Sequence, residues 1–268
     1  MMMYSGPLIL DETNYYSNEA NRDYFSVSQF KAFKRCESAA LAELSGTYDR
    51  KETTALLVGS YVDAYFAGTF AEWADSHPGI FNKRTGELKA EYRHADLMIA
   101  RLESDPVIRQ FLSGSPQVIY TAELFGYPWK AKFDFCDGSK IVDLKTVRDF
   151  EPIYDPQYGG RRSWVEYWGY DLQGAIYQRI EQAYSKRPEP LPFYIVAVTK
   201  EEVPDIDLIQ IPQYAMDAAI KAWGVEDLID RYALLKDGEI EPSRCEHCDW
   251  CKMTKRIDGP RVFEPEGI

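Results

Sequence analysis

Two carboxylates and an ammonium group stand close together in the stretch from Lys130 to Lys145: Asp134, and then Asp143-Leu144-Lys145. Converging acidic side chains bind hard divalent cations, and a lysine beside them can steady negative charge that develops on a reacting group. Whether they converge depends on the residues between the aspartates. Asp137-Gly138 tolerates positive φ at both positions and strand-forming residues flank it, so the spacing predicts a tight β-hairpin with a two-residue loop. Cys136 then pairs with Ser139, and Asp134 falls opposite Ile141. On that register Asp134, Asp143 and Lys145 share a face with Lys130, Lys132 and Ile141, while Phe133, Phe135, Val142 and Leu144 form the core face. Asp143 lies diagonal to Asp134, roughly 7–8 Å away between Cα atoms, close enough for both carboxylates to share a cation. The plainer alternative is a solvated polar face on an ordinary hairpin. Two acids and a lysine in register beside a buried strand pair are costly, however, unless a metal or substrate compensates them.

The elements that must position this hairpin follow from pattern. Residues 1–23 show no periodicity and read as an irregular arm, and residues 24–268 read as one domain. Ser26-Val27-Ser28 opens a helix that runs to Gly46 with Cys36 inside it. A second helix covers about 53–67, and a third region, about 90–112, is interrupted near Asp105-Pro106. Strands are expected at about 117–125, 129–136 and 139–145. A Pro-, Gly- and Tyr-rich loop at 149–162 follows, ending in Arg161-Arg162, candidate phosphate contacts together with Arg148. A long helix at 163–185 carries Gln173 and Tyr177 on one face. An almost wholly apolar strand at 192–200 suits a central position, and a strand at 206–211 and a helix at 213–236 close the chain. His77 and His94 have no partner pattern and read as surface residues.

Composition narrows the class. The 268 residues, 45% hydrophobic, suffice for one large core. No run approaches the ~18–20 apolar residues of a membrane span, so a cytoplasmic protein with no membrane partner is expected. Five cysteines, three of them at Cys245, Cys248 and Cys251, point to metal chemistry in a reducing compartment. Cys-x-x-Cys-x-x-Cys with one remote cysteine, Cys36, suits a [4Fe–4S] cluster. Zn²⁺, with or without His247, and simple reduced thiols are the alternatives. Cys136 reads as a small buried hydrophobe. A net charge of −12 argues against a protein that coats nucleic acid non-specifically.

Asp134 followed by Asp143-Leu144-Lys145 resembles the PD-(D/E)xK nuclease signature. The surrounding chain resembles its RecB-like branch, in particular phage-type exodeoxyribonuclease VIII (RecE)-like exonucleases. Further matches are the Ser-Val-Ser helix, Gly59-x-x-x-Asp63 where the family has Gly-x-x-x-His, Thr146 continuing the Asp-Leu-Lys-Thr phrase, and Gln173-x-x-x-Tyr177. The resemblance implies an α/β restriction-endonuclease-like fold, a central mixed sheet flanked by helices. It implies Mg²⁺ or Mn²⁺ on Asp134 and Asp143, with Asp63 and Glu123 completing the site, Lys145 acting on the attacking water, and Gln173 and Tyr177 positioning the substrate. It also implies Cys36 with the three C-terminal cysteines as cluster ligands, although the family's C-terminal spacing has a wider second gap. The implied reaction is exonucleolytic hydrolysis of linear duplex DNA, 5′ to 3′, in phage-type recombination. A single-strand-annealing partner and a homo-oligomeric ring are part of that expectation. The alternative is an inactive DNA-binding module of the same fold, stabilised by its metal cluster.

Overall fold

A computed structural model of the chain describes residues 8–260 and 262–263. In chain order the helices are α1 (Asn18–Asp23), α2 (Val27–Arg35), α3 (Glu37–Leu44), α4 (Thr54–Ala67), α5 (Phe70–Ser76), α6 (Ala90–Ser104), α7 (Pro106–Phe111), α8 (Trp164–Tyr167), α9 (Tyr170–Ser185), α10 (Gln213–Trp223), α11 (Val225–Lys236) and α12 (Asp249–Met253). The strands are β1 (Ser115–Leu124), β2 (Tyr127–Cys136), β3 (Ile141–Val147), β4 (Ile153–Asp155), β5 (Gly160–Arg162), β6 (Phe193–Thr199) and β7 (Ile206–Ile211). The central sheet runs β1-β2-β3-β6-β7, with β3 and β6 parallel and every other pair antiparallel; β4 and β5 form a separate hairpin. This is the mixed sheet flanked by helices that the sequence suggests.

Alternation along β6 divides the core. Phe193, Ile195 and Ala197 face α2, α9, α10 and α11, whereas Val196 and Val198 face α4, α6 and α7. With both faces covered, β6 has no polar face to present, which accounts for its apolar run.

The hairpin departs from the two-residue loop. Phe135 pairs with Val142 and Cys136 with Ile141, leaving Asp137–Lys140 as a four-residue turn. Asp137 organises it: its Oδ1 accepts from Ser139 N, Lys140 N and Ser139 Oγ at 2.8, 3.1 and 2.7 Å. The core face also divides. Phe133 packs with Trp129 and Ala131 on the α9 side, but Phe135 packs with Val142 and Leu144 on the other. After two paired residues β2 leaves β3. Its freed edge is taken by Phe25, whose backbone bonds Pro128 O and Lys130 N at 2.8 Å each.

Three helices expected to be continuous are broken. Cys36 is extended (φ −166°, ψ 106°) between α2 and α3. Gly169 and Gly224 adopt positive φ before α9 and α11. The N-terminal arm is not wholly irregular, since Asn18–Asp23 is helical with Ser17 as its cap. Among the described residues no helix is long and apolar enough to cross a membrane.

Two contacts give expected outcomes. A Cβ on Gly174 would stand 2.5 Å from the ring of fully buried Phe193. Gly174→Ala should therefore destabilise by about 1–3 kcal/mol in urea unfolding despite the better helix former, and Phe193→Leu should recover part of the loss. Glu37, buried, accepts from Arg231 Nε and Nη2 and from Ser243 N, each at 2.7 Å. Burial alone would raise its pKa, but Arg231 and Ser243 outweigh it and hold the carboxyl below its ordinary value of 4.5. Glu37→Gln should cost about 2 kcal/mol at neutral pH. Urea midpoints should show that difference shrinking as pH falls from about 4.5 through the lower folded value, because the wild-type advantage exists only while Glu37 is ionised.

Candidate active site

The site lies where β2 and β3 part. One register step beyond Phe135–Val142 would set Asp134 against Asp143, so the two aspartates are neighbours across the fork rather than diagonal. The ladder ends there because a side chain replaces the backbone acceptor: Asp134 Oδ2 takes the Leu144 N–H at 2.9 Å. Asp143, 2% exposed, accepts at Oδ1 from Gln173 Nε2 at 2.7 Å, while its Oδ2 has no hydrogen-bond donor among the described residues and is ion-paired with Lys145 Nζ at 2.5 Å.

Two helices approach closely to complete this cluster. α4 crosses β3 at Gly59, where a Cβ would come within 3.1 Å of Thr146 Oγ1, and Asp63 follows one turn later on the same helix face. α9 packs onto β6 at Gly174, next to Gln173. Asp63, Asp134, Asp143, Lys145, Gln173 and Tyr177 all line a cavity of about 190 Å³.

Burial and mutual charge govern the electrostatics. Burial first, then the neighbouring carboxylate of Asp143, push Asp134 well above the carboxylate range; burial raises Asp63 to about 7. Burial would lower Lys145, but Asp143 and Asp134 more than reverse that, so it stays a cation. Asp63 Oδ1 is buried with no hydrogen-bond partner among the described residues. An unsatisfied carboxylate oxygen beside two further aspartates is a donor set of hard oxygens, which fits Mg²⁺ or Mn²⁺. The three carboxylates line the cavity without closing on one point, in contrast to the cysteines described below.

Gln173 therefore positions Asp143 as the sequence pattern did not reveal, and Tyr177 packs edge-on to Phe133 at 5.0 Å between centroids. Glu123 is exposed near the far end of β1, opposite Pro128, and does not join the group. The arginines expected to meet phosphate also lie off the cavity. Arg148 pairs with Asp149, Arg161 donates to Pro152 O, and Arg162 donates to Asp155.

Residues missed in the sequence come from the arm. Tyr15 and Tyr16 line the cavity, and buried Lys130 anchors them by donating to Tyr15 O at 2.5 Å and Asn21 Oδ1 at 2.7 Å. The signal available was Lys130 set directly between Trp129 and Ala131 in β2.

A second centre joins the two ends of the chain. The sulfurs of Cys36, Cys245, Cys248 and Cys251 all lie within 4.8 Å of one another; Cys36 to Cys251 is 3.6 Å and Cys245 to Cys251 is 4.0 Å. The break between α2 and α3 puts Cys36 there. Burial would raise Cys245, but the N–H groups of His247 and Cys248 donate to its sulfur and bring it down to about 6, favouring the thiolate that metals bind. His247 is exposed and outside the group. Four thiols this close suit a soft metal. A single ion with bonds of about 2.3 Å spaces tetrahedral sulfurs by about 3.8 Å, whereas a [4Fe–4S] cluster, with a different iron on each sulfur, needs them further apart.

A mixed sheet that forks around two aspartates and a lysine, with helices on both faces, defines the PD-(D/E)xK class. The chain belongs to the family described as PDDEXK-like domain of unknown function (DUF3799), whose model matches residues 26–254. No curated protein matches the sequence. Among solved structures it is similar to a protein from Eubacterium rectale described as a "putative exonuclease", at 39% identity and a TM-score of 0.89, over 95% of this chain and 97% of that one. The crystal structure of SSO0001 aligns with 75% of this chain and 85% of its own at 14% identity and a TM-score of 0.28, which carries no weight for fold or function.

Two measurements test these centres. Gln173→Ala leaves the buried Asp143 Oδ1 without its donor and should weaken divalent-metal binding about 10–100-fold by calorimetry, with a loss of about 1–3 kcal/mol in stability. Elemental analysis of anaerobically purified protein should find one zinc per chain if the sulfurs keep their spacing; iron with a brown chromophore would mean that they open to take the cluster.

Proposed function

We propose that this chain is a divalent-metal-dependent DNA exonuclease. The observation that carries the reading is Asp143, held between Gln173 and Lys145 at the strand fork, with Asp134 beside it and the unsatisfied Asp63 facing the same cavity. The similarity to the Eubacterium rectale protein over nearly its whole length supports the exonuclease assignment.

Asp63, Asp134 and Asp143 would hold the cation. Such an ion supplies Lewis-acid chemistry, lowering the pKa of water and offsetting charge on the phosphoryl oxygens. Lys145 stays charged against Asp143 and Asp134, so its ammonium can stabilise the negative charge that grows on the phosphate. Gln173 fixes the orientation of Asp143 so that its carboxylate need not reorganise as charge develops. Buried Tyr15 lines one side of the cavity and limits water there. The resemblance to RecE-like enzymes adds the finer reading: 5′-to-3′ attack on linear duplex ends in a reducing cytoplasm, by a homo-oligomer that hands the remaining strand to an annealing partner.

Linear duplex blocked at its 5′ or 3′ ends, and closed circular duplex, are incubated with wild type and Lys145→Ala in Mg²⁺, Mn²⁺ or EDTA. The expected result is metal-dependent loss of linear DNA only, blocked by 5′ protection, and slower by about 10²–10³-fold in the variant. Intact DNA in both metals would replace the enzyme with a binding module of the same fold.

A further inference from the structure

The catalytic cavity does not end at Tyr16. Tyr16, Asn21, Ser26 and Ser28 are shared with a second cavity of about 360 Å³, and that cavity shares Ala32, Arg35, Glu43 and Arg50 with a third of about 370 Å³ that reaches Cys36, Cys248 and Asp249. The result is one continuous groove from the aspartates, along α2, to the four-thiol centre.

Beyond the aspartate cavity its cations are Lys31, Arg35, Arg50 and Lys51, against two carboxylates, Glu43 and Asp249. Ser28, Lys31, Ala32 and Arg35 form one stripe on α2, and Lys31 and Arg35 are one turn apart, about 6 Å along the axis. Arg35, Arg50 and Lys51 are exposed and form no ion pair with another described residue. Burial raises the pKa of Glu43, while Arg35 and Arg50 act on it in the opposite direction, so this acid lies among the cations rather than facing them alone. Tyr170 stands between the aspartate cavity and the second one, since both Lys145 and Lys31 lie over its ring, at 5.2 and 5.6 Å. At the mouth, Tyr16 leaves 73% of its surface exposed.

We infer that this groove binds one unpaired strand of DNA, carrying the chain that adjoins the scissile phosphate past Tyr16 and over Lys31, Arg35, Arg50 and Lys51. Cations of one groove, Lys31 and Arg35 from α2 and Arg50 and Lys51 from the segment before α4, can follow one sugar–phosphate backbone, whereas a duplex presents two. An exposed tyrosine can stack on a base only where that base has a free face, which an unpaired strand offers at every nucleotide. The inference rests on the nuclease reading for its direction toward the aspartates, but not for binding itself.

Anisotropy of a labelled single-stranded oligodeoxynucleotide and of the same sequence as blunt duplex is measured in EDTA, where no cleavage is needed, across a salt series. The proteins are wild type, Arg35→Gln/Arg50→Gln, Tyr16→Ala, and Lys83→Gln/Arg84→Gln, whose exposed turn lines none of the three cavities. The double groove variant should bind single strands about tenfold more weakly, with a salt slope shallower by about 1.4, and Tyr16→Ala should lose about tenfold. The control pair should match wild type, and melting curves identify any variant that has failed to fold. Single-strand affinity and slope unchanged in Arg35→Gln/Arg50→Gln would overturn the groove, even if the protein degrades DNA. Equal losses for duplex and single strand would overturn the assignment to an unpaired strand. Expected binding without cleavage in Mg²⁺ would leave the groove standing and sink only the nuclease reading.

Discussion

The architecture depends on one hydrogen bond that substitutes for a ladder. Where β2 should continue pairing with β3, Leu144 N donates to the side chain of Asp134 instead of to backbone. A strand pair that stopped without this would leave a buried N–H unsatisfied, at a cost of about 1–3 kcal/mol. With it, β2 can swing away while Asp134 and Asp143 stay together at the vertex. The opening then needs a wall, and the arm provides it, with Phe25 on the freed edge of β2 and Lys130 tied to Tyr15 and Asn21.

Burying charges at such a vertex is expensive, and the arrangement divides the cost among elements that must all arrive together. Asp143 is satisfied only if β3 presents Lys145 and α9 presents Gln173. α9 can come that near only because Gly174 leaves room for the Phe193 ring, and α4 brings Asp63 over β3 only because Gly59 leaves room for Thr146. Lost packing at either glycine therefore reaches the carboxylates through a helix shift. The chain ends are fixed separately, by the four thiols and by Glu37 with Arg231 and Ser243; both fastenings occur at the break between α2 and α3, and so hold the helix that forms one side of the groove.

Much of this was legible because it is periodic or local. The alternation that puts Asp143 and Lys145 on one face of β3, the unbroken apolar run of β6, the Ser26 cap and the Asp105-Pro106 interruption all follow from near neighbours. The errors are tertiary. Asp137-Gly138 permits a two-residue turn, yet Asp137 gains three hydrogen bonds by closing four residues, and that moves the register. Phe133 and Phe135 have the same parity but opposite cores, because the strand turns where it leaves its partner. Cys36 breaks a helix whose periodicity continues through it, since its sulfur is needed among three others 209 or more residues away. Arg161 and Arg162 looked free in a loop, but that loop folds into its own hairpin and occupies them locally, while Arg148 pairs with its neighbour Asp149.

The overall charge and the charge along one groove act on different scales. A net −12 speaks against indiscriminate binding of nucleic acid, but it averages over a surface larger than any phosphate can sense. At physiological ionic strength the Debye length is about 8 Å, about one and a half helical turns. A phosphate resting on α2 would feel Lys31 and Arg35 at close range, while most of the acidic residues would be screened. Those acids would act only on DNA that came close to them, lowering its accumulation on the rest of the surface. On the inference that the groove takes a DNA strand, local cations in an acidic protein would make it more selective than the same cations in a basic one, because stray binding elsewhere is repelled.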